Sequence, residues 1–486
     1  MSNTSPAPRS AAIVGVLCAA GIVTSLMQAI VVPLIPDLPR LLGTSAANAS
    51  WVVTVTLLSG AVATPVLGRL GDLYGKRRML LTSLLLLTTG SVFCALADSL
   101  APVLAGRALQ GMSMGIIPLG ISIMRDVLPP RRLGSAMALM SSSLGIGGAL
   151  GLPAAAAVAQ NANWHMLFWG SGFLGLVVTA LAWRLVPESA VRSPGRFDLV
   201  GAVALSAGLL ALLLPISKGG DWGWSSGKTL SLFATSAVVL VLWGVWELRA
   251  PAPLVNLRAS ARRQVLVTNL ASVLVGLAMF AMMLVPIQLL QLPEATGYGL
   301  GQSMVSAGLW MAPSGLVMVV ISPLGARLST ARGPKISLLT GALVIASGYA
   351  MALALSGSVW GVLVFTSVIG AGIAFAYAAM PALIMAAVPP TETAAANGLN
   401  TLMRSIGTST SSAVVGVLLA NMTTQWGGAT LPSENGFRAA LVFGGCAAIV
   451  ASLVILAIPG RTTGPTVTVP APGAVPGAAR TAVSPQ

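Results

Sequence analysis

Apolar residues fill this chain in long unbroken runs, separated by short polar breaks. The runs lie at about 11–36, 46–68, 79–97, 102–124, 135–159, 165–186, 199–216, 229–247, 265–290, 303–326, 336–355, 359–386, 398–421 and 437–459. A helix needs ~20 apolar residues to cross a bilayer, and these runs are of that order. They are continuous rather than alternating, which excludes a membrane β-barrel. The pattern predicts an all-α integral membrane protein with fourteen spans. The first run is too long for a signal peptide core and no small-residue cleavage site follows it, so it reads as the first span. Composition agrees: of 486 residues, 56% are hydrophobic and 8% charged, against ~25% charged in soluble domains.

An even number of spans puts both termini on one side, and the basic residues say which. The loops on one side hold only Arg40, Lys218, Lys228 and Arg438. Arg107 and Arg404 fall well inside spans, and the other lysines and arginines lie in the opposite loops, at the span ends beside them, or in the tails. Both termini are therefore expected in the cytoplasm, with the chain in the cell membrane and the lipid bilayer as its surroundings. The net charge of +15 comes from basic residues scattered through short loops, so no nucleic-acid partner is expected. Cys18, Cys94 and Cys446 share no spacing motif and His165 is the single histidine. These residues read as packing groups, and neither a metal nor another cofactor is expected.

Two segments match each other at a fixed offset. One is Pro65-Val-Leu-Gly-Arg69-Leu70-Gly-Asp72-Leu-Tyr-Gly75-Lys76-Arg77, and the other is Pro323-Leu-Gly-Ala-Arg327-Leu328-Ser-Thr330-Ala-Arg-Gly333-Pro334-Lys335. They follow spans 2 and 10. The repeat divides the chain into a cytoplasmic tail (1–10), a six-helix bundle (11–187), two linking helices (188–264), a second six-helix bundle (265–460) and a disordered cytoplasmic tail (461–486). Paired halves around a central pathway are a common plan of secondary transporters. The loop carrying Trp222 and Trp224 is expected outside, with its indoles at the membrane interface.

The segment Gly68-Arg-Leu70-Gly-Asp72-Leu-Tyr-Gly75-Lys76-Arg77-Arg78 resembles the cytoplasmic signature of the major facilitator superfamily. Trp51 with Thr54, and Leu104-Ala-Gly-Arg107-Ala-Leu-Gln110-Gly111 in span 4, are also similar to that family. Fourteen spans, Pro286 with Gln288, and Asn400 with Arg404-Ser-Ile-Gly407 resemble its drug:proton antiporter branch. The resemblance implies a major facilitator fold of two six-helix bundles plus two inserted helices. It also implies that Gly68, Asp72, Gly75, Arg77 and Arg125 control the conformational change. In the family the Asp72-like carboxylate pairs with a basic residue at the end of span 4, where Arg125 stands, and meets a helix N-terminus of the other half. The alternative is that the basic cluster only fixes topology.

Arg107, Gln110, Gly111 and Met114 share one helical face, and a charge inside a span tends to face the bundle interior. The competing reading is an arginine snorkelling to the headgroups, and for Arg404 the same two readings stand. Gln28, Gln110, Gln288, Tyr377 and Asn400 complete the candidate polar contacts of a substrate or proton pathway. In span 5, Gly147 and Gly151 suit close helix packing. The family's antiporters carry a Gly-Pro pair there, whereas Leu152 separates Gly151 from Pro153 here. Many branch members have an aspartate in span 1, where this chain has Met27, and no acid lies mid-span. Asp37 and Glu294 at the rims are left as proton carriers.

These features predict a monomeric exporter of small amphipathic compounds such as antibiotics, working by alternating access and coupled to protons by resemblance, and not an enzyme. A metabolite importer of the same fold stays open, as does, more remotely, a polytopic membrane enzyme.

Overall fold

A computed structural model describes residues 7–31, 34–35, 37–426 and 429–459. Fourteen of its helices are long and apolar enough to cross a membrane. They are α1 (Ala7–Ala29), α2 (Trp51–Tyr74), α3 (Lys76–Ala95), α4 (Leu100–Val127), α5 (Pro130–Asn161), α6 (His165–Leu185) and α7 (Leu199–Trp222). Then follow α8 (Gly227–Arg249), α9 (Arg263–Gln291), α10 (Met304–Arg332), α11 (Pro334–Leu355), α12 (Val359–Ala387), α13 (Thr393–Asn421) and α14 (Glu434–Leu456). Fourteen crossings leave both ends of the chain on one face, here the near face. The opposite face is the far face. A hairpin of β1 (Thr423–Trp426) and β2 (Ala429–Pro432) lies at the far face between α13 and α14. The expected tail at 461–486 and the start of the tail at 1–10 lie outside the described residues.

Two apolar cores correspond to the two halves. One joins α1 through α6, around Leu17, Leu80, Leu84 and Phe168; the other joins α9 through α14, around Ile345, Tyr349, Phe365 and Phe437. A third, smaller cluster fixes α7 against α2 and α13 through Leu58, Leu205, Leu209 and Leu402. α8 packs mainly on α7 and is the least buried span, with Val241 and Leu242 left facing outward where lipid covers them.

Several helices run further toward the near face than hydropathy alone indicates. α2 continues through Arg69 and Asp72, α10 through Arg327 and Arg332, and α13 starts at Thr393 rather than 398. A hydropathy window stops at the first charges, but backbone hydrogen bonding does not. α1 does the opposite and ends at Ala29, short of the expected 36. Prolines follow at 33 and 36, and a proline removes a helix hydrogen bond and clashes with the preceding turn. α7 reaches Trp222 because Lys218 is buried within it, bonded to Ser50 and 3.0 Å from Asp221. Trp222 lies beside Trp51 and under the Lys228 ammonium, which is 3.5 Å from its ring centre.

The halves meet where small residues let backbones approach. A Cβ on Gly315 of α10 would fall 2.3 Å from the Gly145 carbonyl of α5, and one on Gly68 of α2 would fall 2.6 Å from the Ala394 carbonyl of α13. No side chain fits there, which is why glycine is required.

Candidate functional site

Two features lie between the halves: a polar junction at the near face and a cavity deeper in.

The junction starts at Gly75, whose φ of +118° turns the chain between α2 and α3. That conformation suits glycine, and a Cβ there would also press 2.8 Å from Glu188. The turn places Asp72 and Lys76 side by side, both fully buried, with Lys76 Nζ 3.7 Å from Asp72. The Asp72 carboxylate accepts hydrogen bonds from the Ala394 and Ala395 N–H groups, at 3.2 and 2.8 Å. These are free N–H groups of the first turn of α13, where the helix dipole favours an anion. Lys76 Nζ also donates to Asp126 at 2.6 Å and to Thr393 at 3.2 Å. Hence α2, α3, α4 and α13 are tied together at the near face.

Lys76, not Arg125, is therefore the cation beside Asp72, and span 4 contributes an acid, Asp126. Arg125 has a buried Nη1 without a hydrogen-bond partner among the described residues. Arg77 bonds the Trp183 carbonyl through its side chain and Glu188 through its backbone N–H, so neither contact reaches the second half. The second copy of the repeat builds nothing similar: Thr330 bonds only carbonyls of its own helix, and Arg327 is exposed.

The cavity has a volume of about 200 Å³ and draws its walls from α1, α2, α4, α5, α9, α10, α12 and α13. Its lining comes from the middle of the spans and, in α1, α2 and α10, from their far halves. Six methionines take part: Met114, Met279, Met282, Met283, Met311 and Met318. Gln28, Tyr377 and Arg404 line it as well. Arg404 lies eleven residues beyond Thr393, about 16 Å along α13 at 1.5 Å per residue. It lines the cavity between the halves rather than the outer surface of the bundle. Its guanidinium stacks 4.7 Å from the Tyr377 ring centre, and the Tyr377 hydroxyl lies 2.8 Å from Met279 Sδ. The height of Arg404 is set by backbone contact between α13 and α9. A Cβ on Gly276 would be 2.4 Å from the Arg404 carbonyl, and one on Gly407 would be 2.1 Å from the Val273 carbonyl.

Arg107 is elsewhere. It is 2% exposed and does not line the cavity. Its Nη1 donates to the Met27 carbonyl at 3.0 Å and to Gln110 Oε1 at 2.8 Å, and its Nε donates to the Val52 carbonyl at 3.3 Å. Met27 is in the last turn of α1, and its carbonyl accepts no backbone N–H further along among the described residues. Arg107 thus caps α1. Gln110 passes the chain on to Ser91 Oγ at 3.0 Å.

Asn400 is buried just on the near side of the cavity and donates to Asn269 and Ser272. Gln288 is half-buried in α9 and lies outside the cavity lining. Asp37 and Glu294 are exposed at the far face, and Asp37 pairs with Arg40 at 3.5 Å. Gly147 and Gly151 face α1: Cβ atoms there would press on Ser25 and Ala29 at 2.4 and 2.8 Å. Pro153 lies against Gly308 of α10.

Three features are not evident from the sequence. Asp126 is one of the acids outside the middle of a span, and nothing in the sequence beside Arg125 marks it as the partner of Lys76. Of the cavity methionines only Met114 stands out, through its place on the Arg107 face, although Met279, Met282 and Met283 cluster in one span. Glu247 lies near a span end, yet it is 3% exposed and accepts from the Val255 N–H, with its other oxygen unpartnered among the described residues.

The profile described as Major Facilitator Superfamily matches residues 17–412. The chain is similar to Multidrug resistance protein 3 of Bacillus subtilis, 25% identical over 77% of this chain and 73% of that protein. It is similar to Multidrug resistance protein Stp of Mycobacterium tuberculosis, 27% identical over 82% and 73%. It is also similar to Uncharacterized transporter YebQ of Escherichia coli, 28% identical over 86% and 89%. The solved structure of the human organic anion transporter MFSD10 (TETRAN) shares its fold, with a TM-score of 0.65 over 92% of this chain and 99% of that one, at 15% identity. The fourteen spans, the paired halves and the match over most of the chain lead to one conclusion: this multi-pass membrane protein is a transporter that belongs to the Major Facilitator Superfamily, in its fourteen-span branch.

Proposed function

We infer that the protein exports small amphipathic compounds of the antibiotic type from the cytoplasm, across the cell membrane, by alternating access. Both termini face the cytoplasm in this reading, so the near face is the cytoplasmic one. The single observation that carries it is the methionine-rich cavity between the halves, placed above a closed near-face junction. Thioethers are polarisable and flexible, and such walls accommodate varied apolar bodies. The names of the relatives from Bacillus subtilis and Mycobacterium tuberculosis point the same way.

Transport then requires the junction to open. The Asp72 carboxylate would leave the α13 N-terminus, the halves would part at Gly68 and Ala394, and the cavity would face the cytoplasm. Gating is thus a change of partners at one helix end, and its equilibrium is set by the difference in contacts between the two states. Coupling to protons belongs to the proposal through the resemblance to drug:proton antiporters, and no enzymatic step does.

The test is susceptibility profiling of a deletion strain across a broad compound panel, with and without re-expression, paired with uptake into energised inverted vesicles. Hypersensitivity restored by re-expression, with accumulation in inverted vesicles, is expected. Accumulation in intact cells instead would replace export by import.

A further inference from the structure

We propose that the cavity selects monoanionic amphipathic molecules, holding the acid group on Arg404 and the apolar body among the methionines. This rests on the transport reading and adds the charge class of the ligand.

The two intramembrane arginines have opposite situations. Arg107 is consumed by the frame: three acceptors on α1, α2 and α4 take its donors. Arg404 is offered to the cavity. It makes no ion pair among the described residues, and no carboxylate is among the described lining residues. Its guanidinium rests on the face of Tyr377. No hydrogen bond from the Arg404 side chain is found among the described residues, so its N–H donors remain for a planar acid, which a guanidinium can grip through two parallel hydrogen bonds. Tyr377 is itself buried and tied to Met279, so it holds the stack in place. The glycine contacts of α13 with α9 fix the height of the group.

Other acids do not compensate. Asp72 and Asp126 are at the near-face junction and share Lys76. Asp37 and Glu294 are exposed at the far face. A charge without a counter-ion in a low-dielectric bundle is unfavourable, and a ligand that brings the missing negative charge relieves it. A ligand with a permanent positive charge would meet like charge there. The methionine walls contribute apolar contact without geometric demand, so the head group decides.

The test uses one scaffold with three head groups: 4-phenylbutyrate, 4-phenylbutanamide and 4-phenylbutyl-trimethylammonium. Binding of the tritiated compounds is measured on the purified full-length chain in nanodiscs of zwitterionic lipid. The acid is expected to bind at least tenfold tighter than the cation, with the amide between them. Arg404→Gln should abolish that order, Arg404→Lys should keep part of it, and Arg404→Glu should reverse it. As a measurement that needs no change of the arginine, Ser405→Cys places a thiol in the lining, in a chain with Cys446→Ser. The acid should protect it from N-ethylmaleimide and the cation should not. Equal or tighter binding of the cation, an order that survives Arg404→Gln, or no binding by any of the three overturns the proposal. Flux through proteoliposomes separates this from the transport reading. Charge-selective binding without protein-dependent flux would remove that reading and leave the ligand class standing, whereas flux of the cation alone would do the reverse.

Discussion

Lys76 Nζ stands 2.6 Å from the Asp126 carboxylate, with side chains 0% and 5% exposed. The same ammonium is 3.7 Å from Asp72, which caps α13 of the other half. One buried cation thus serves two buried carboxylates, and through them four helices. Removing a single partner of such a group leaves charge buried without compensation.

Lys76→Met should therefore destabilise the protein by about 3–5 kcal/mol, the usual cost of breaking a buried pair on one side. Adding Asp126→Asn should recover part of that loss, because one of the stranded charges is gone. Thermal unfolding in detergent or nanodiscs reads both variants. A double variant no more stable than Lys76→Met would mean that the two groups are not coupled.

The junction is built by one copy of the repeat only. Asp72→Asn weakens the two hydrogen bonds to the α13 N-terminus and should slow transport while ligand binding persists. Thr330→Ala touches a residue bonded to its own helix and should transport normally. Flux and equilibrium binding measured on the same preparations decide it. The reverse pattern, normal flux in Asp72→Asn and impaired flux in Thr330→Ala, would move the gate to the second half.

Gly276→Ala and Gly407→Ala should each cost about 1–3 kcal/mol, since the new methyl meets a backbone carbonyl that cannot rotate away. A Cβ on Gly148 would meet nothing within 4 Å, so Gly148→Ala should leave the unfolding temperature unchanged. If all three variants unfold alike, the close approach of α9 and α13 is not needed.

Orientation is open to a direct check. Alkaline phosphatase fused after residue 222 or 430 should be active, and after residue 190 or 465 silent. Activity at 465 would invert the expected topology, which rests on the asymmetry of lysine and arginine between the two sets of loops.

The spans were legible because a bilayer imposes one demand, about twenty apolar residues in succession, and the chain meets it fourteen times. Their ends were less so. Arg69, Asp72 and Arg332 interrupt hydropathy but not the helix, so α2 and α10 run past the expected boundaries. That shift matters for the site, because the early start of α13 places the Ala394 and Ala395 N–H groups against Asp72. The partner of Asp72 was not legible for a different reason. Arg125 and Asp126 are adjacent in sequence but point in different directions on the helix, and only packing chooses which one meets Lys76. Arg107 was legible as an intramembrane charge. Its employment as a cap depended on where α1 ends, which the length of the apolar run overstated.

Arg107 and Arg404 should separate stability from recognition. The end of α1 at Ala29 leaves the Met27 carbonyl without a helical partner, inside a region that water does not reach freely. Arg107 supplies a charge-assisted hydrogen bond there, worth about 1.5–3 kcal/mol, and a cation at a helix C-terminus adds about 0.3–1 kcal/mol. Arg107→Met fills similar space but strands that carbonyl and Gln110 Oε1, so it should lose about 2–4 kcal/mol of stability. Arg107→Lys keeps a charge but cannot span Val52, Met27 and Gln110 together, and should rescue little. In both variants the preference for an anionic ligand should persist in the molecules that fold, because Arg404 is intact. Arg404→Gln should behave in the opposite way, with near-normal unfolding and no charge preference. The measurement is a pair of readouts on each variant, unfolding temperature and the binding ratio of acid to cation. An Arg107→Met protein that unfolds normally and has lost the charge preference would exchange the two roles.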